Sequence, residues 1–304
     1  MMSLKLSEIS QNYKSGKAVL NNITATFTTG ISVITGPNGV GKTTLLRMIA
    51  GIIRPSSGTM LWNDQDVFTN YVRYKDILGY LPQELGFYPE MTGREFLMYM
   101  AQLKNIPASL CKVRIEEVAE IFKITDVMNY KLECWSIGMK QRMGLAQAIL
   151  NDPDLIILDE PLVGFDAEDK IYIWHLLSQL SKDRIIILSS NILDDYIQEC
   201  NNLSLLLNGN IKFTGKIFEF IDIVRDKVWL ADVSYEQAEQ IKNTYPISIF
   251  ELFNDRCKVR VICDTAPNIA GVRSVEPRIE DAYTYFVQYN NFAKGESNLL
   301  ARDK

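Results

Sequence analysis

The stretch from Gly36 to Thr44 constrains this chain more than any other, because it reads Gly-Pro-Asn-Gly-Val-Gly-Lys-Thr-Thr. A glycine followed after four residues by Gly-Lys-Thr is the spacing of a phosphate-binding loop. Mostly β-branched residues precede the loop at 31–35, and apolar residues recur at helical spacing from Lys42 to Ala50. The loop is therefore predicted to join a buried strand to a helix N-terminus, where backbone N–H groups bind phosphate.

The loop residues have distinct predicted roles in holding a nucleotide. Glycines allow the backbone N–H groups to turn onto phosphate oxygens. Lys42 reaches the β- and γ-phosphates, and the Thr43 hydroxyl is a ligand for Mg²⁺. The alternative is a chance match in a glycine-bearing turn, which the strand and helix on either side make the weaker interpretation. The candidate nucleotide-binding residues are Gly36, Pro37, Asn38, Gly39, Val40, Gly41, Lys42, Thr43 and Thr44.

A second polar cluster follows the all-apolar segment Leu155–Leu158, which is typical of a buried parallel strand. Asp159 and Glu160 come directly after it, at the strand end where open α/β sheets bind ligands. Asp159 is predicted to complete the Mg²⁺ shell, often through water, and Glu160 to act as general base toward the attacking water. A solvated acidic turn is the alternative, and the glycine loop favours the functional interpretation.

Whole-chain properties exclude several classes of function. The net charge of −5 has interspersed signs, which argues against a nucleic-acid-binding surface. No apolar run approaches the length that spans a bilayer, and the N-terminus has no targeting pattern. The five cysteines lack metal-ligand spacing, so reduced thiols are expected. His175 is the only histidine, which excludes histidine-rich zinc sites.

Periodicity divides the chain into three parts. Residues 1–222 are predicted to form an α/β domain that begins with paired antiparallel strands at 4–9 and 18–28 and contains a helical insertion at about 92–150. Residues 223–290 are expected to form a small α+β unit without a catalytic cluster, suited to binding, dimerisation or regulation. Residues 291–304 are predicted to be a loose tail.

The helical insertion contains local start signals. Thr92 and Glu95 have the spacing of a capping box. The helix over 109–122 is predicted to turn Val113, Val118, Ile121 and Phe122 inward. Ser136 is a candidate N-cap of a third helix, whose start could hold an anion or be an ordinary capped end.

Tyr13 precedes a predicted turn at Ser15-Gly16, upstream of the glycine loop. Its ring could stack on a purine, although an exposed tyrosine near a turn is common without any function.

Taken together, the ordered motifs resemble the ATP-binding-cassette ATPase subunits of membrane transporters over roughly residues 3–220. Gly36 to Thr44 resembles the Walker A motif, and Leu155 to Glu160 resembles Walker B. The other matches are Tyr13 for the adenine-stacking aromatic, Gln83 for the Q-loop glutamine, Trp135 to Met139 with Lys140-Gln141-Arg142 for the signature, and Asp166 for the D-loop aspartate. The stretch Glu276 to Tyr283 is similar to the ends of bacterial exporter subunits for drugs, antibiotic peptides or cell-surface lipids and polymers.

The resemblance implies a P-loop nucleoside triphosphate hydrolase cassette of α/β class, with an antiparallel β subdomain, an inserted helical subdomain and a small α+β C-terminal domain. It implies ATP and Mg²⁺ as cofactors, with Thr43, Gln83 and Asp159 near the metal. Two such subunits, alike or different, would bury ATP between them, with Ser136 and Gly138 of one touching the γ-phosphate held by the other. A separate integral membrane permease would hold the subunit at the cytoplasmic face of the membrane.

Four positions depart from the family pattern. The signature has Trp135, Ile137 and Met139 at positions usually held by other residues; a non-glycine at 137 and Met at 139 are familiar among exporter subunits. Asn191 is the more serious departure, because it occupies the position of the switch histidine that bonds the γ-phosphate. Its amide can still donate a hydrogen bond, but with different reach.

Two interpretations follow from Asn191. The first is a working ATPase with slow turnover, because Glu160 is intact. The second is an ATP-binding partner that barely turns over and lends Ser136 and Gly138 to a competent second subunit. A non-transport ATPase that uses the same cassette is a further alternative. Chromosome-structure and translation-associated ATPases fit less well, because the chain has neither a long coiled-coil insertion nor a second set of motifs.

Overall fold

The computed structural model describes residues 2–12, 18–191 and 200–289. The chain divides into two compact units, Met1–Thr214 and Gly215–Lys304. This division falls earlier than the boundary predicted after residue 222. The reason is the helix Ile217–Asp222, which belongs to the second unit, where Phe220 stacks on Phe286 with 5.4 Å between ring centroids.

The first unit contains ten strands and six helices among the residues that the structure describes. In chain order they are β1 Ser3–Asn12, β2 Ala18–Thr28, β3 Gly30–Thr35, α1 Lys42–Ile49, β4 Ser57–Trp62, β5 Gln65–Asp66, α2 Tyr71–Asp76, β6 Leu78–Leu81, α3 Gly93–Leu103, α4 Ala108–Ile121, α5 Ile137–Ile149, β7 Leu155–Asp159, α6 Ala167–Leu180, β8 Ile185–Ser190, β9 Asn202–Leu207 and β10 Asn210–Gly215. Two short 3₁₀ helices, Thr125–Val127 and Leu132–Cys134, lie between α4 and α5.

A six-stranded sheet with the order β10-β9-β3-β8-β7-β6 forms the centre of this unit. Strands β6, β7, β8, β3 and β9 run parallel to one another. All five residues of β7 are buried, as the continuous apolar run predicts. Because parallel strands end at the same edge, the loop after β3 and the polar residues that end β7 and β8 lie together.

The N-terminal strands form a separate antiparallel sheet with the order β2-β1-β4-β5. Leu4 lies opposite Phe27 on one side and Trp62 on the other, and Leu6 lies opposite Met60. These apolar side chains alternate with polar ones, so one face joins the hydrophobic core that also includes Leu45 of α1. The predicted pairing of the first two strands is confirmed.

The helical segment begins with the predicted capping box: the Thr92 hydroxyl accepts from the Glu95 N–H, and the Glu95 carboxylate accepts from the Thr92 N–H. The prediction for α4 is wrong at Val113, which is 54% exposed. The buried positions Cys111, Ile115, Val118 and Ala119 recur at helical spacing. Val113 lies two residues from both Cys111 and Ile115, and a separation of two residues places it on the opposite side of the helix.

The second unit is an α+β fold. Its elements are α7 Ile217–Asp222, β11 Val228–Ser234, α8 Tyr235–Thr244, β12 Ile247–Phe253, β13 Arg256–Ile262, β14 Arg273–Ser274 and α9 Ile279–Thr284, followed by a π-helical turn, Tyr285–Tyr289. The sheet order is β12-β13-β11-β14, and α8 packs on one face through Ala238 and Ile241. On the other face of the sheet, Arg260 and the fully buried Asp281 form an ion pair at 2.5 Å.

Candidate functional site

The glycine loop adopts backbone angles that favour glycine. Gly36, Gly39 and Gly41 have φ values of 151°, 73° and 109°. A Cβ on Gly36 would lie 2.2 Å from the Leu206 carbonyl oxygen, which leaves no space for a side chain. Gly41 is the N-cap of α1, so the loop delivers the N-terminus of that helix to the edge of the sheet. The predicted strand, loop and helix are therefore confirmed.

Lys42 folds back across this loop. Its ammonium donates to the Gly36 carbonyl at 2.7 Å and to the Pro37 carbonyl at 2.9 Å. Burial lowers the pKa of Lys42, while the nearby carboxylates of Glu160 and Asp159 act to raise it. A desolvated ammonium beside the loop is stabilised by an anion, so a phosphate is a favourable partner for it.

The acidic pair at the end of β7 is held by β8. Asp159 is 1% exposed, and its Oδ1 accepts from the Ser189 hydroxyl at 2.6 Å. The same hydroxyl oxygen accepts from the Glu160 N–H at 2.9 Å. Ser189 lies opposite Asp159 in the parallel register. Sequence reasoning assigned no role to Ser189, and the only signal was its position at the end of an apolar strand.

A Mg²⁺ ion fits the oxygen donors here. The second oxygen of Asp159, Oδ2, is buried and has no hydrogen-bond partner among the described residues. The Thr43 hydroxyl donates to the Gln83 side-chain oxygen at 3.4 Å, which places two neutral oxygen donors together. Hard oxygen ligands of this kind suit Mg²⁺. The described residues contain no cluster of three or more His, Cys, Asp or Glu side chains arranged for a metal.

Glu160 is positioned by its backbone and by Asn191. Its φ of 53° is unusual for a residue other than glycine and turns the chain directly after β7. The Asn191 amide Nδ2 donates to Oε1 of Glu160. Asn191 thus contacts the predicted general base itself.

An open cavity of about 820 Å³ brings these groups together. The glycine loop from Pro37 to Thr44 forms one side, and Gln83, Glu160 and Asn191 also line it. Gly36 and Asp159 are not lining residues, but Gly36 accepts a hydrogen bond from Lys42 and Asp159 directly precedes Glu160 in the chain. Gln83, Glu160 and Asn191 are far from the glycine loop in the sequence. They meet at this cavity because the parallel strands that precede them end at the same edge of the sheet.

The predicted signature residues lie outside this cavity. Ser136 caps α5, its hydroxyl accepting from the Met139 N–H at 3.2 Å, as predicted for an N-cap. A Cβ on Gly138 would lie 3.5 Å from the Gly164 carbonyl oxygen, and Ile137 is 76% exposed. The start of α5 is therefore accessible, and its contact with the nucleotide of a second subunit stays a prediction.

Asp166 caps α6, accepting from the Asp169 N–H at 2.8 Å. Asp169 in turn pairs with Arg142, in the middle of α5, which links the start of α6 to that helix. His175 is exposed on α6 beside Gln179, away from the cavity. Tyr13, the predicted adenine-stacking residue, lies outside the described residues.

The phosphate loop, the lysine that follows it and the paired carboxylates across the parallel sheet define a P-loop nucleotide-binding protein. The model of the ABC transporter family matches residues 20–163. The ABC transporter ATP-binding protein YxlF of Bacillus subtilis (strain 168) is 31% identical over 260 residues, covering 82% of this chain and 86% of YxlF. The chain belongs to the ABC transporter family, as an ATP-binding subunit.

Further comparisons show relatives of different lengths. The probable multidrug ABC transporter ATP-binding protein YbhF of Escherichia coli (strain K12) is 33% identical over 189 residues, covering 61% of this chain and 32% of YbhF. A solved ATP-binding subunit of an ABC transporter has a TM-score of 0.65 and 25% identity, covering 71% of this chain and 91% of that one. A dimeric cassette bound to ADP and Pi shares the fold, with a TM-score of 0.65, 21% identity, and coverage of 70% and 98%.

Within the described part of the chain, no helix combines the length and the apolar character that crossing a bilayer requires.

Proposed function

We propose that this chain binds and hydrolyses ATP to power a membrane transporter, and that the transporter is an exporter. The observation that carries the proposal is the meeting of Lys42, Gln83 and Glu160 around one cavity, with Asp159 held behind them by Ser189. This arrangement offers a cation for phosphate and a carboxylate for water.

The chemistry proposed for the cavity begins with Lys42. When a nucleotide binds, the Lys42 ammonium leaves the carbonyls of Gly36 and Pro37 and donates to the β- and γ-phosphate oxygens instead. The N–H groups of the loop donate to the same oxygens. Thr43, Gln83 and Asp159 are the residues that would hold Mg²⁺, which supplies neutralising charge for the phosphates. Glu160 orients the attacking water and accepts its proton.

Asn191 sets the position of Glu160 in this proposal. Its amide donates to the carboxylate and leaves one oxygen of Glu160 for water. Because the donor is neutral and already engaged, it contributes less to charge developing on the phosphate than a donor aimed there. Turnover is therefore expected to be slow.

The site is proposed to be completed by a second ATP-binding subunit. The exposed start of α5, with Ser136 and Gly138, offers N–H groups for the γ-phosphate of that partner, and Asp166 lies at the neighbouring start of α6. Tyr13 is proposed to stack on the adenine. An integral membrane permease would position the pair at the cytoplasmic face of the membrane, and no nucleic acid is involved.

Export is supported by two similarities. YbhF carries a multidrug designation. The segment from Glu276 to Tyr283, which leads into and forms α9, resembles the ends of exporter subunits. Specificity for the cargo is expected to lie in the permease.

The second candidate is a weakly hydrolysing partner in a heterodimeric transporter. The engagement of Asn191 with Glu160 favours it, because an asparagine in this place leaves the γ-phosphate without the family's histidine. Such a chain would bind ATP and lend its α5 start to a competent neighbour.

The test combines ATP binding, ATP hydrolysis and co-purification. We expect Glu160→Gln to bind ATP without hydrolysing it, because the amide cannot accept the proton from water. A pull-down in mild detergent should recover an integral membrane protein. Recovery of a second, different ATPase together with negligible hydrolysis by this chain alone would favour the heterodimer. Recovery of no membrane protein would contradict the transporter proposal.

A further inference from the structure

The turn that follows β7 holds Glu160 in an unfavourable backbone conformation. Its φ of 53° lies in the left-handed region, where the Cβ of an ordinary residue comes too close to the following carbonyl oxygen. The Glu160 carbonyl accepts from the Val163 N–H at 3.3 Å, which closes the turn. Such a conformation persists only where the surrounding structure fixes it. The groups that hold this turn therefore determine where the Glu160 carboxylate lies.

One of these groups is the side chain of Gln141, on α5. Its amide Nε2 donates to the Pro161 carbonyl at 3.1 Å and, at a longer 3.4 Å, to the Glu160 carbonyl. A primary amide carries two N–H donors, so one side chain can serve both carbonyls. Gln141 is 9% exposed, so water competes little for these bonds. Gln141 thus holds the carbonyl side of Glu160, while the Ser189 hydroxyl holds its N–H.

The helix that carries Gln141 is itself fixed against the same segment of the chain. The next residue, Arg142, pairs with Asp169 near the start of α6, and its guanidinium lies 5.7 Å from the centre of the Phe165 ring. Arg142 also donates to the Phe122 carbonyl at 3.0 Å. Helix α5 therefore contacts the segment between β7 and α6 near both of its ends, which fixes the Gln141 amide relative to the turn.

A purely structural role is the alternative for a buried glutamine. Buried carbonyls need donors wherever they occur, and α5 carries a second example. Gln147 is 7% exposed, and its Nε2 donates to the Tyr80 carbonyl of β6 at 2.7 Å. The residues of β6 are not among those that line the cavity. Gln141 differs from Gln147 because its acceptor carbonyls belong to the turn of the proposed general base.

We propose that Gln141 is a positioning residue for ATP hydrolysis. By holding the carbonyls of Glu160 and Pro161, it keeps the Glu160 carboxylate directed at the cavity. Gln141 is not itself a lining residue, so its loss should slow hydrolysis and leave ATP binding unchanged. This role rests on the function proposed for Glu160. It also makes Glu160 depend on α5, whose start is the proposed contact for the nucleotide of a second subunit.

The first test compares Gln141→Met with Gln147→Met, because methionine keeps the approximate length and volume of glutamine and removes the amide donor. For Gln141→Met, we expect the turnover number at saturating ATP and Mg²⁺ to fall about three- to tenfold, which corresponds to one hydrogen bond between neutral groups. The affinity for ATP, measured with a chelator so that it reports binding alone, should not change. Gln141→Asn withdraws the amide by one methylene group and should act in the same direction.

Gln147→Met is expected to keep both the turnover number and the ATP affinity of the unmodified chain. An equal fall in turnover in Gln147→Met overturns the proposal, because any loss of a buried donor from α5 would then be sufficient. Unchanged turnover in Gln141→Met, or in Gln141→Asn should the first variant not fold, overturns it too. So does a loss of ATP affinity in Gln141→Met, which would place this residue in nucleotide binding instead.

The second test measures the turn directly and needs no hydrolysis. Amide hydrogen exchange in the nucleotide-free chain reports on the Val163 N–H, which is bonded to a carbonyl that Gln141 also contacts. We expect this amide to exchange about three- to tenfold faster in Gln141→Met and at an unchanged rate in Gln147→Met. Unchanged exchange in both variants overturns the proposal.

The two tests distinguish a failure of the positioning role from a failure of the proposed function. If the unmodified chain binds ATP without hydrolysing it, the proposed hydrolysis fails, and amide exchange alone decides whether Gln141 holds the turn. If the unmodified chain hydrolyses ATP and Gln141→Met does so equally fast, the proposed hydrolysis stands and the positioning role fails.

Discussion

Replacing Asn191 tests the link between the observed geometry and the rate of ATP hydrolysis. The amide of Asn191 donates to the Glu160 carboxylate. A histidine at this position would extend beyond that carboxylate, because the imidazole Nε2 lies farther from Cα than the amide Nδ2. Asn191→His is expected to raise the turnover number, because the ring can donate to the γ-phosphate as negative charge develops there.

The magnitude follows from the two hydrogen bonds involved. A bond to a charged group contributes about 1.5–3 kcal/mol, and Asn191 is exposed, so the lower value applies to its bond with Glu160. Asn191→Ala should therefore lower the turnover number about tenfold. A new donor aimed at the transition state contributes more, so Asn191→His should raise it about 10- to 100-fold.

The assay is phosphate release by the purified chain at saturating ATP and Mg²⁺, with Glu160→Gln as the inactive reference. Asn243→His is the control for adding a histidine elsewhere, since Asn243 is exposed on α8 in the second unit. The reasoning is refuted if Asn191→His leaves the rate unchanged while Glu160→Gln abolishes it. A faster Asn191→Ala variant would equally contradict the positioning role.

Two further substitutions test the support of the site and the charge balance of the fold. Ser189→Ala removes the donor to Asp159 and the acceptor for the Glu160 N–H, so it should lower ATP hydrolysis about tenfold or more. In a titration with Mg²⁺, this variant should need a higher metal concentration to reach half of its maximal rate. Lys104 is mostly buried, which lowers its pKa to about 8, so between pH 8 and 10.5 the unfolded chain binds more protons and stability rises with pH. Lys104→Met should therefore be more stable than the unmodified chain at pH 7, with a difference in melting temperature that narrows by pH 10; a constant difference would show that Lys104 is charged in the folded state throughout.

Features set by neighbouring residues were predictable from the sequence. The glycine loop, the Thr92–Glu95 capping box and the N-cap at Ser136 each depend on a few adjacent positions, and all three are present. The side of α4 that faces inward was harder to predict. Apolar residues occur around much of that helix, so periodicity alone did not exclude Val113, and packing against its neighbours buried the Cys111 and Ile115 side instead.

The extent of the cassette also depended on tertiary contacts. The strand-rich pattern continues past residue 214, and the helix Ile217–Asp222 gave no local sign of the unit to which it belongs. Stacking of Phe220 on Phe286 assigns it to the second unit. Contacts between residues so far apart in the chain leave no mark on local composition.

The glycine loop was determined by the sequence alone, since its backbone angles depend on which residues lack a Cβ and its lysine is adjacent in the chain. The surroundings of that loop were decided by the tertiary structure. Parallel register sets Ser189 beside Asp159, and the turn after β7 brings Glu160 to the amide of Asn191. These partners are about thirty residues apart, and only the order of strands in the sheet determines their distance.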